Sequence, residues 1–185
     1  MESASAADAG DTADAGDMDV FVGRLDPDMC VVTAAAGGER AGCLVGFSSQ
    51  CSLHPVRFVV WLSEANRTFR VARTADVLAV HLLAREQRAL AELFGGETGD
   101  HVDKFAHVRW REEHGGAVVL EDAPAWFVGR VLRRVEGGDH VGFVLDPVAW
   151  GGRREASAGD APETAPAPLL RLTDARTIRP GHPAD

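Results

Sequence analysis

Long apolar runs are missing from this 185-residue sequence. A run such as 58–62 is far shorter than the ~20 residues that a helix needs to cross a bilayer, so we expect no membrane span. The N-terminus also lacks the basic and then apolar order of a secretory signal, which favours a cytoplasmic protein. A hydrophobic content of 45% with 25% charged residues is typical of one globular domain with its own core.

Cysteine is scarce. The chain has three cysteines, Cys30, Cys43 and Cys51, and no two of them form a CxxC motif. An odd number without paired spacing argues against a disulfide framework. We expect all three to be buried free thiols, because a free cysteine packs like a small hydrophobic residue.

Positive charge is also scarce, with 19 Lys and Arg against 28 Asp and Glu. Six acids and no basic residue lie in residues 1–19, so this segment supplies most of the net charge of −9. Nucleic acids and anionic membranes require clustered positive charge, and neither partner is expected. His101, Asp103 and His107 invite a metal-site interpretation, but they lack HExxH or facial-triad spacing, so we predict no metal site.

Three segments are too poor in large apolar residues, or too loosely patterned, to join a core. We predict a disordered acidic tail over 1–19, a flexible insertion over 151–167 and a loose C-terminal tail over 176–185. The domain itself is expected to span 20–175.

The pattern between these segments is mostly that of β-strands. Gly37-Gly38 and Gly137-Gly138 separate apolar runs and are typical of hairpin turns that need positive φ. Nearly continuous apolar runs indicate strands that are covered on both faces, as in a closed barrel or a dimer interface. The predicted strands are 29–35, 41–47, 57–62, 77–83, 117–120, 125–135, 140–145 and 168–172.

Two short helices interrupt the strands. The first, 66–72, begins at Asn66, whose side chain can accept a hydrogen bond from an unpaired backbone N–H. The second, 86–94, carries one apolar stripe and ends at Gly95-Gly96. We therefore predict a mainly β (α+β) fold, a small barrel with a few short helices. His81, inside the run 77–83, is expected to be a satisfied core or interface histidine.

Uncharged polar residues follow the second strand over 48–52, and a second polar loop, 63–68, ends at the first helix. Unpaired N–H groups at a helix start attract anions, and Ser63, Asn66, Arg67 and Thr68 add donors. The two loops could therefore hold a phosphate together with a flat polar ring. A capped helix beside a solvated turn explains the same pattern.

Four motifs in a fixed order resemble the flavin reductase family. They are GCLVGFSSQCSLHP (42–55), FVVWLSEANRTFRVA (58–72), LAVHLL (78–83) with EQRALAELF (86–94), and GDH (138–140). The resemblance covers roughly residues 20–150 and a short strand near 168–172. It implies an FMN-binding split β-barrel that is usually a homodimer.

The resemblance also implies site residues. The family's Ser/Thr-rich segment, which lines the flavin ring and ribityl chain, falls on Gly46, Phe47, Ser48, Ser49, Gln50, Cys51 and Ser52. Its phosphate loop falls on Ser63, Asn66 and Thr68, with Arg67 as a further donor. Its GDH motif, near flavin and nicotinamide, falls on Gly138, Asp139 and His140. Lys104 is expected near the mouth of the flavin site, and Phe47 or Trp61 is expected to pack nearby.

The implied activity is hydride transfer from NADH or NADPH to FMN, or to FAD, in which the cofactors supply the chemistry and the protein orients them. His140 is the one candidate catalytic residue. A separate flavin-dependent monooxygenase is an expected consumer of the reduced flavin. Two alternatives stay open: FMN as a fixed prosthetic group for a small substrate, and a flavin-binding module with little catalysis, which the altered segment 52–56 (SLHPV) favours.

Overall fold

The computed structural model describes residues 15–152 and 167–181, and strands dominate this part of the chain. The strands are β1 (Cys30–Ala36), β2 (Glu39–Val45), β3 (Ser48–Leu53), β4 (Val56–Ser63), β5 (Val77–Leu82), β6 (Trp110–Glu113), β7 (Ala117–Leu120), β8 (Ala125–Glu136) and β9 (His140–Gly151). The α-helices are α1 (Ala15–Val22), α2 (Arg67–Ala72), α3 (Arg88–Gly96) and α4 (Leu172–Ala175). The mainly β prediction is confirmed.

Seven strands form one antiparallel sheet in the order β2-β1-β5-β8-β9-β4-β3, and β6 pairs separately with β7. The sheet curls until β2 lies against β4. Side chains from distant strands then share one interior, among them Val32, Val45, Val60, Leu78 and Phe143. This closed interior is the barrel that the strand pattern predicts.

A second core covers the outer side of the barrel between β1, α3, β7 and the C-terminal residues. It contains Val31, Leu83, Phe94, Leu120 and Leu170. Two layers of apolar side chains therefore enclose β1 and β5, which explains why both strands are nearly continuous apolar runs in the sequence.

His81 on β5 lies between these layers and is completely buried. Its Nδ1 is 3.0 Å from the carbonyl oxygen of Val31, and its Nε2 is 3.0 Å from the backbone nitrogen of Leu120. The Leu120 N–H must donate to Nε2, so the ring is neutral and carries its proton on Nδ1. Burial lowers the pKa of His81 to about 4. The prediction of a satisfied core histidine is confirmed.

Both predicted hairpins are present. Gly37 and Gly38, at φ 59° and 81°, join β1 to β2, and Gly138, at φ 102°, lies in the turn between β8 and β9. These left-handed conformations favour glycine, which is why the glycine pairs could be recognised as turns.

The polar stretch 48–52, expected to be a loop, is the edge strand β3, which pairs with β4. An edge strand needs only one row of backbone hydrogen bonds, so polar side chains do not prevent it from forming. The pairing register shifts between Gln50 and Ser52, which leaves Cys51 in a bulge.

The three cysteines are free, but they are not all buried. Burial raises the pKa of Cys30 to about 12 and that of Cys43 to about 11, whereas Cys51 is exposed on β3. The prediction of buried thiols is therefore wrong for Cys51.

The first predicted helix is confirmed, because the Asn66 side chain accepts a 3.0 Å hydrogen bond from the backbone nitrogen of Thr68 at the start of α2. The second begins two residues later than predicted, at Arg88, because Gln87 forms a turn with Ala84 through a backbone bond of 2.9 Å and a side-chain bond of 2.9 Å. None of the helices in the described ranges is long and apolar enough to cross a bilayer.

The chain termini differ from the sequence prediction. The expected strand 168–172 is reduced to isolated bridges from Leu169 to Ala84 and from Arg171 to Asp28. The expected loose tail is ordered as far as Gly181, whose N–H donates to the carbonyl of Gly95. Helix α1 begins inside the expected acidic tail, and residues 1–14, 153–166 and 182–185 lie outside the described residues.

Candidate functional site

Three segments that are far apart in the sequence meet where β2 ends. The backbone nitrogen of Trp61 donates to the carbonyl of Phe47 at 2.9 Å, and that of Glu64 donates to the carbonyl of Asp139 at 3.1 Å. Ser63 pairs with His140 across β4 and β9. The end of β2, the end of β4 and the tip of the β8–β9 hairpin therefore form one continuous surface.

Phe47 and His140 form an aromatic pair on this surface, with ring centroids 5.3 Å apart. Phe47 is 57% exposed, so the pair has a free face. His140 Nδ1 is 2.8 Å from a carboxylate oxygen of Asp139, and this hydrogen bond holds the pKa of Asp139 below its usual value. Because Asp139 occupies Nδ1, Nε2 is the ring atom available to a ligand.

Trp61 packs against the tip of the β8–β9 hairpin. A Cβ atom at Gly142 would lie only 2.9 Å from the Trp61 ring, and the ring also occupies the place where a side chain of Gly137 would be. The indole therefore packs directly on the backbone of both glycines. Any larger residue there would lift the tip, and His140 with it, away from Phe47.

A cleft of about 420 Å³ lies beside this surface. Its apolar side includes Met29, Leu44 and Phe94, and its polar side includes Asn66 and Arg67. Met29 links the cleft to the end of β2, because its sulfur would lie 3.2 Å from a Cβ atom at Gly46. The segment after β2 and the start of α2 thus lie on the same side of the molecule.

Arg67 fixes a wall of the cleft. Its guanidinium donates to the carbonyl of Gly99 at 2.7 Å and lies 3.4 Å from Glu39 and 3.7 Å from Asp100. Arg70 binds Asp100 with two bonds of 2.6 and 2.7 Å and lowers the pKa of that carboxyl group. Arg67 is therefore held between the loop 97–100 and Glu39 of β2.

Thr68 is buried behind the start of α2. Its hydroxyl oxygen forms no hydrogen bond to a nitrogen or oxygen atom within 15–152 and 167–181, and its polar neighbour is the Cys43 thiol, where it opposes the rise that burial causes in the pKa of that thiol. Because this hydroxyl is completely buried, Thr68 supports the start of α2 from inside the fold. The Oδ1 atom of Asn66 caps α2, which leaves its amide N–H groups for a ligand.

The residues of β3 do not share this cleft. Ser48 accepts a 3.7 Å contact from the Cys30 thiol, and the strand then leads away from the cleft through Ser49, Gln50, Cys51 and Ser52. Gln50 donates to the carbonyl of Ser52 and lines a different groove of about 720 Å³, with Phe58, Trp126 and Trp150. The fold thus brings Gly46 and Phe47 to the site and carries 49–52 along the sheet edge.

Lys104 does not lie at a surface opening. It is buried, and its ammonium group donates to the carbonyl oxygens of Phe94 at 2.9 Å and Gly42 at 3.2 Å. Burial lowers the pKa of Lys104. The expected place at a flavin mouth is therefore corrected to one behind the Phe94 side of the cleft, where the lysine joins α3 to β2.

Asp103, one of the three residues considered for a metal site, serves another role. Asp103 caps the turn Lys104–His107 through a 3.1 Å bond from the backbone nitrogen of Phe105 and lies 3.3 Å from Arg40. Within the described ranges, no group of three or more His, Cys, Asp or Glu residues is placed to hold a metal ion.

Sequence reasoning missed the apolar side of the cleft and its C-terminal wall. Met29, Leu44 and Phe94 read as ordinary core positions, and 172–181 carried no motif. Only the folded position of the C-terminal residues against α3 reveals that they contribute to a site.

The comparisons with known proteins identify the family of this chain. A family model described as a flavin reductase like domain matches residues 22–173. FMN reductase (NADH) RutF of Ancylobacter novellus is 32% identical over 136 residues, which cover 71% of this chain and 74% of that protein. RutF of Variovorax paradoxus is 34% identical over 119 residues, 63% of this chain and 64% of that protein. The chain spans 36% of a Rhizobium meliloti relative that is 29% identical over 114 residues.

Solved structures share the fold. NADH:FAD oxidoreductase SgcE6 of Streptomyces globisporus C-1027 superposes with a TM-score of 0.68 at 23% identity, covering 76% of this chain and 83% of that one. Flavoredoxin of Methanosarcina acetivorans gives a TM-score of 0.71 at 16% identity, with 80% of each chain covered. The predicted split β-barrel is confirmed. With a family model matched over most of its length, the chain belongs to the flavin reductase family.

Proposed function

We propose that the protein is an NAD(P)H-dependent flavin reductase that transfers hydride to FMN or FAD. The observation that carries this proposal is the meeting of Phe47, Ser63 and His140 beside the cleft that begins at Asn66. Two relatives are named FMN reductase (NADH), and one structural neighbour is named an NADH:FAD oxidoreductase, which supports the same activity.

The residues at the site fit a phosphorylated flavin. The amide of Asn66 lies at one end of the cleft, beside its apolar side. Ser63 lies next to it, because its carbonyl accepts a 3.0 Å bond from the backbone nitrogen of Asn66, and the exposed ring of Phe47 packs against His140 on the adjoining surface. A bound flavin supplies the hydride-accepting chemistry, and the protein supplies binding and orientation.

Each residue has a defined part in this proposal. Ser63 and Asn66 donate hydrogen bonds to the phosphate, and the buried hydroxyl of Thr68 lies close behind them. Phe47 excludes water from one face of a bound ring. His140, oriented by Asp139, presents Nε2 to the carboxamide of the nicotinamide or to a flavin carbonyl, and Trp61 holds the hairpin tip in place.

The test is turnover. Purified protein with NADH or NADPH and an excess of free FMN, or of FAD, should oxidise many equivalents of the nicotinamide in the absence of another substrate. One equivalent oxidised per protein, with further turnover only on addition of a small acceptor, would instead support FMN as a fixed prosthetic group. Binding of flavin without oxidation of NAD(P)H would support the module without catalysis.

We also propose that the protein is a homodimer. Trp150 (73% exposed), Leu53 and Val56 are large apolar side chains on the outside of the barrel, near the aromatic groove of Trp126 and Phe58. Exposed apolar surface of this extent is typical of an interface, and a second copy of the chain would cover it.

Two further statements rest on the proposed activity. A separate flavin-dependent monooxygenase would consume the reduced flavin that this site releases. A cytoplasmic location would supply the nicotinamide, and the three free cysteines agree with a reducing compartment.

A further inference from the structure

The C-terminal residues 172–181, here named the C-terminal arm, form one side of the cleft at Asn66. Leu172, Arg176 and Ile178 line the cleft from the arm, together with Asn66 and Leu44 from the rest of the fold. The arm supplies six of the fourteen residues that line the cleft, although no motif of the sequence pointed to it.

The arm is held in a defined position at both ends. The backbone nitrogen of Leu172 donates to the carbonyl of Pro27 at 2.9 Å, and that of Gly181 donates to the carbonyl of Gly95 at 3.1 Å. Arg88 of α3 reaches across to the carbonyl of Asp174 and to the hydroxyl of Thr177. The position of the arm over the cleft is therefore fixed by the fold.

The charged groups around the cleft differ in how many hydrogen bonds and ion pairs they already form within the protein. Arg67 is bound to the Gly99 carbonyl and lies close to Glu39 and Asp100. Arg176 is exposed and has no ion pair within 15–152 and 167–181. Glu97 adds one negative charge to the rim. Within the described part of the chain, Arg176 is the cleft cation with its guanidinium uncommitted.

We propose that Arg176 binds the phosphate of the flavin in this cleft and makes the protein select phosphorylated flavins over riboflavin. The inference rests on the proposed function and deepens it, because it assigns the charge recognition to the C-terminal arm. A guanidinium forms paired, charge-assisted hydrogen bonds with a phosphate, and it complements the neutral amide donor of Asn66, which lines the same cleft.

The test compares FMN with riboflavin, which has the same ring and side chain but no phosphate. Arg176→Gln should weaken FMN binding about tenfold or more, as expected for the loss of a hydrogen bond between charged groups, and should leave riboflavin affinity within about twofold. Arg176→Lys should recover part of the FMN affinity because it keeps the charge. Binding is measured by quenching of flavin fluorescence.

Arg179→Gln is the matched control, since this exposed arginine lies on the same arm but does not line the cleft. It should bind FMN as wild-type protein does. Equal losses of FMN and riboflavin in Arg176→Gln, or no loss of FMN, would overturn the role of Arg176. Failure of the proposed function is separate, because wild-type protein would then bind neither flavin and oxidise no NADH in the presence of FMN.

Discussion

At the scale of single residues, a substitution of His140 separates an effect on the rate of flavin reduction from an effect on flavin affinity. Its ring is held by Asp139 at 2.8 Å and faces Phe47, so it can orient a reacting ring while contributing little to the phosphate end. His140→Ala should slow flavin reduction at least tenfold and change FMN affinity by less than about threefold. Stopped-flow reduction and fluorescence titration measure the two effects.

His114→Ala is the control, because it removes an exposed histidine on another part of the chain and should change neither the rate nor the affinity. An unchanged rate of flavin reduction in His140→Ala would make His140 a structural residue.

Asn66 allows helix capping to be separated from ligand binding. Its Oδ1 caps α2, so Asn66→Ala would weaken the helix by about 1 kcal/mol and confuse the result. Asn66→Asp keeps the capping oxygen and replaces the amide N–H groups by a negative charge. We expect unchanged thermal stability, FMN affinity lowered by about tenfold or more, and riboflavin affinity nearly unchanged. Equal losses for FMN and riboflavin would place the phosphate elsewhere.

At the scale of elements, the β8–β9 hairpin depends on the contact between Trp61 and Gly142. A Cβ atom at Gly142 would meet the indole at 2.9 Å, so Gly142→Ala should lower the free energy of unfolding by about 1–3 kcal/mol and displace His140. Adding Trp61→Leu makes room for the new methyl group, so the double variant should be more stable than the sum of the two single changes predicts. Thermal unfolding of the wild-type protein, the two single variants and the double variant checks this. If the two changes in the free energy of unfolding are strictly additive, the proposed contact is refuted.

The elements also show what the sequence could predict and what it could not. Glycine pairs between apolar runs identified both hairpins, and Asn66 identified the start of α2, because these signals depend on local backbone geometry. β3 was missed because an edge strand needs no apolar alternation. The family resemblance assigned the whole Ser/Thr-rich segment to the flavin site, which stays a prediction, and in the fold Gln50 lines a separate groove. The C-terminal arm was missed because its position depends on long-range contacts with α3 and Pro27.

At the scale of the whole molecule, His81 links β1, β5 and β7 and should make stability depend on pH. Its pKa falls from the ordinary value of 6.5 in the unfolded chain to about 4 in the folded protein. The neutral ring is thus fully stabilising above pH 6.5, and this contribution is lost as the pH falls from 6.5 to 4, by about 3 kcal/mol in total. Urea unfolding at several pH values gives the free energy of unfolding of the wild-type protein and of His81→Gln. The difference between the two isolates the contribution of His81. A difference that is independent of pH would contradict it.

The proposed dimer is also a property of the whole molecule. Trp150→Glu places a charge on the most exposed of the large apolar side chains in the described part of the chain, and a charge buried at an interface is costly. Light scattering should find a wild-type dimer and a Trp150→Glu monomer. Leu25→Glu, at another exposed apolar position, should remain dimeric, and a monomeric wild-type protein would rule the proposal out.

The central claim is that the end of β2, the tip of the β8–β9 hairpin and the cleft at Asn66 bind one flavin. A crystal structure of the protein with FMN tests this most directly. We predict the flavin ring against Phe47 and His140, with the phosphate within hydrogen-bonding distance of Asn66 and Ser63. A flavin in the groove of Gln50 and Trp126, or a phosphate far from Asn66, would contradict the account.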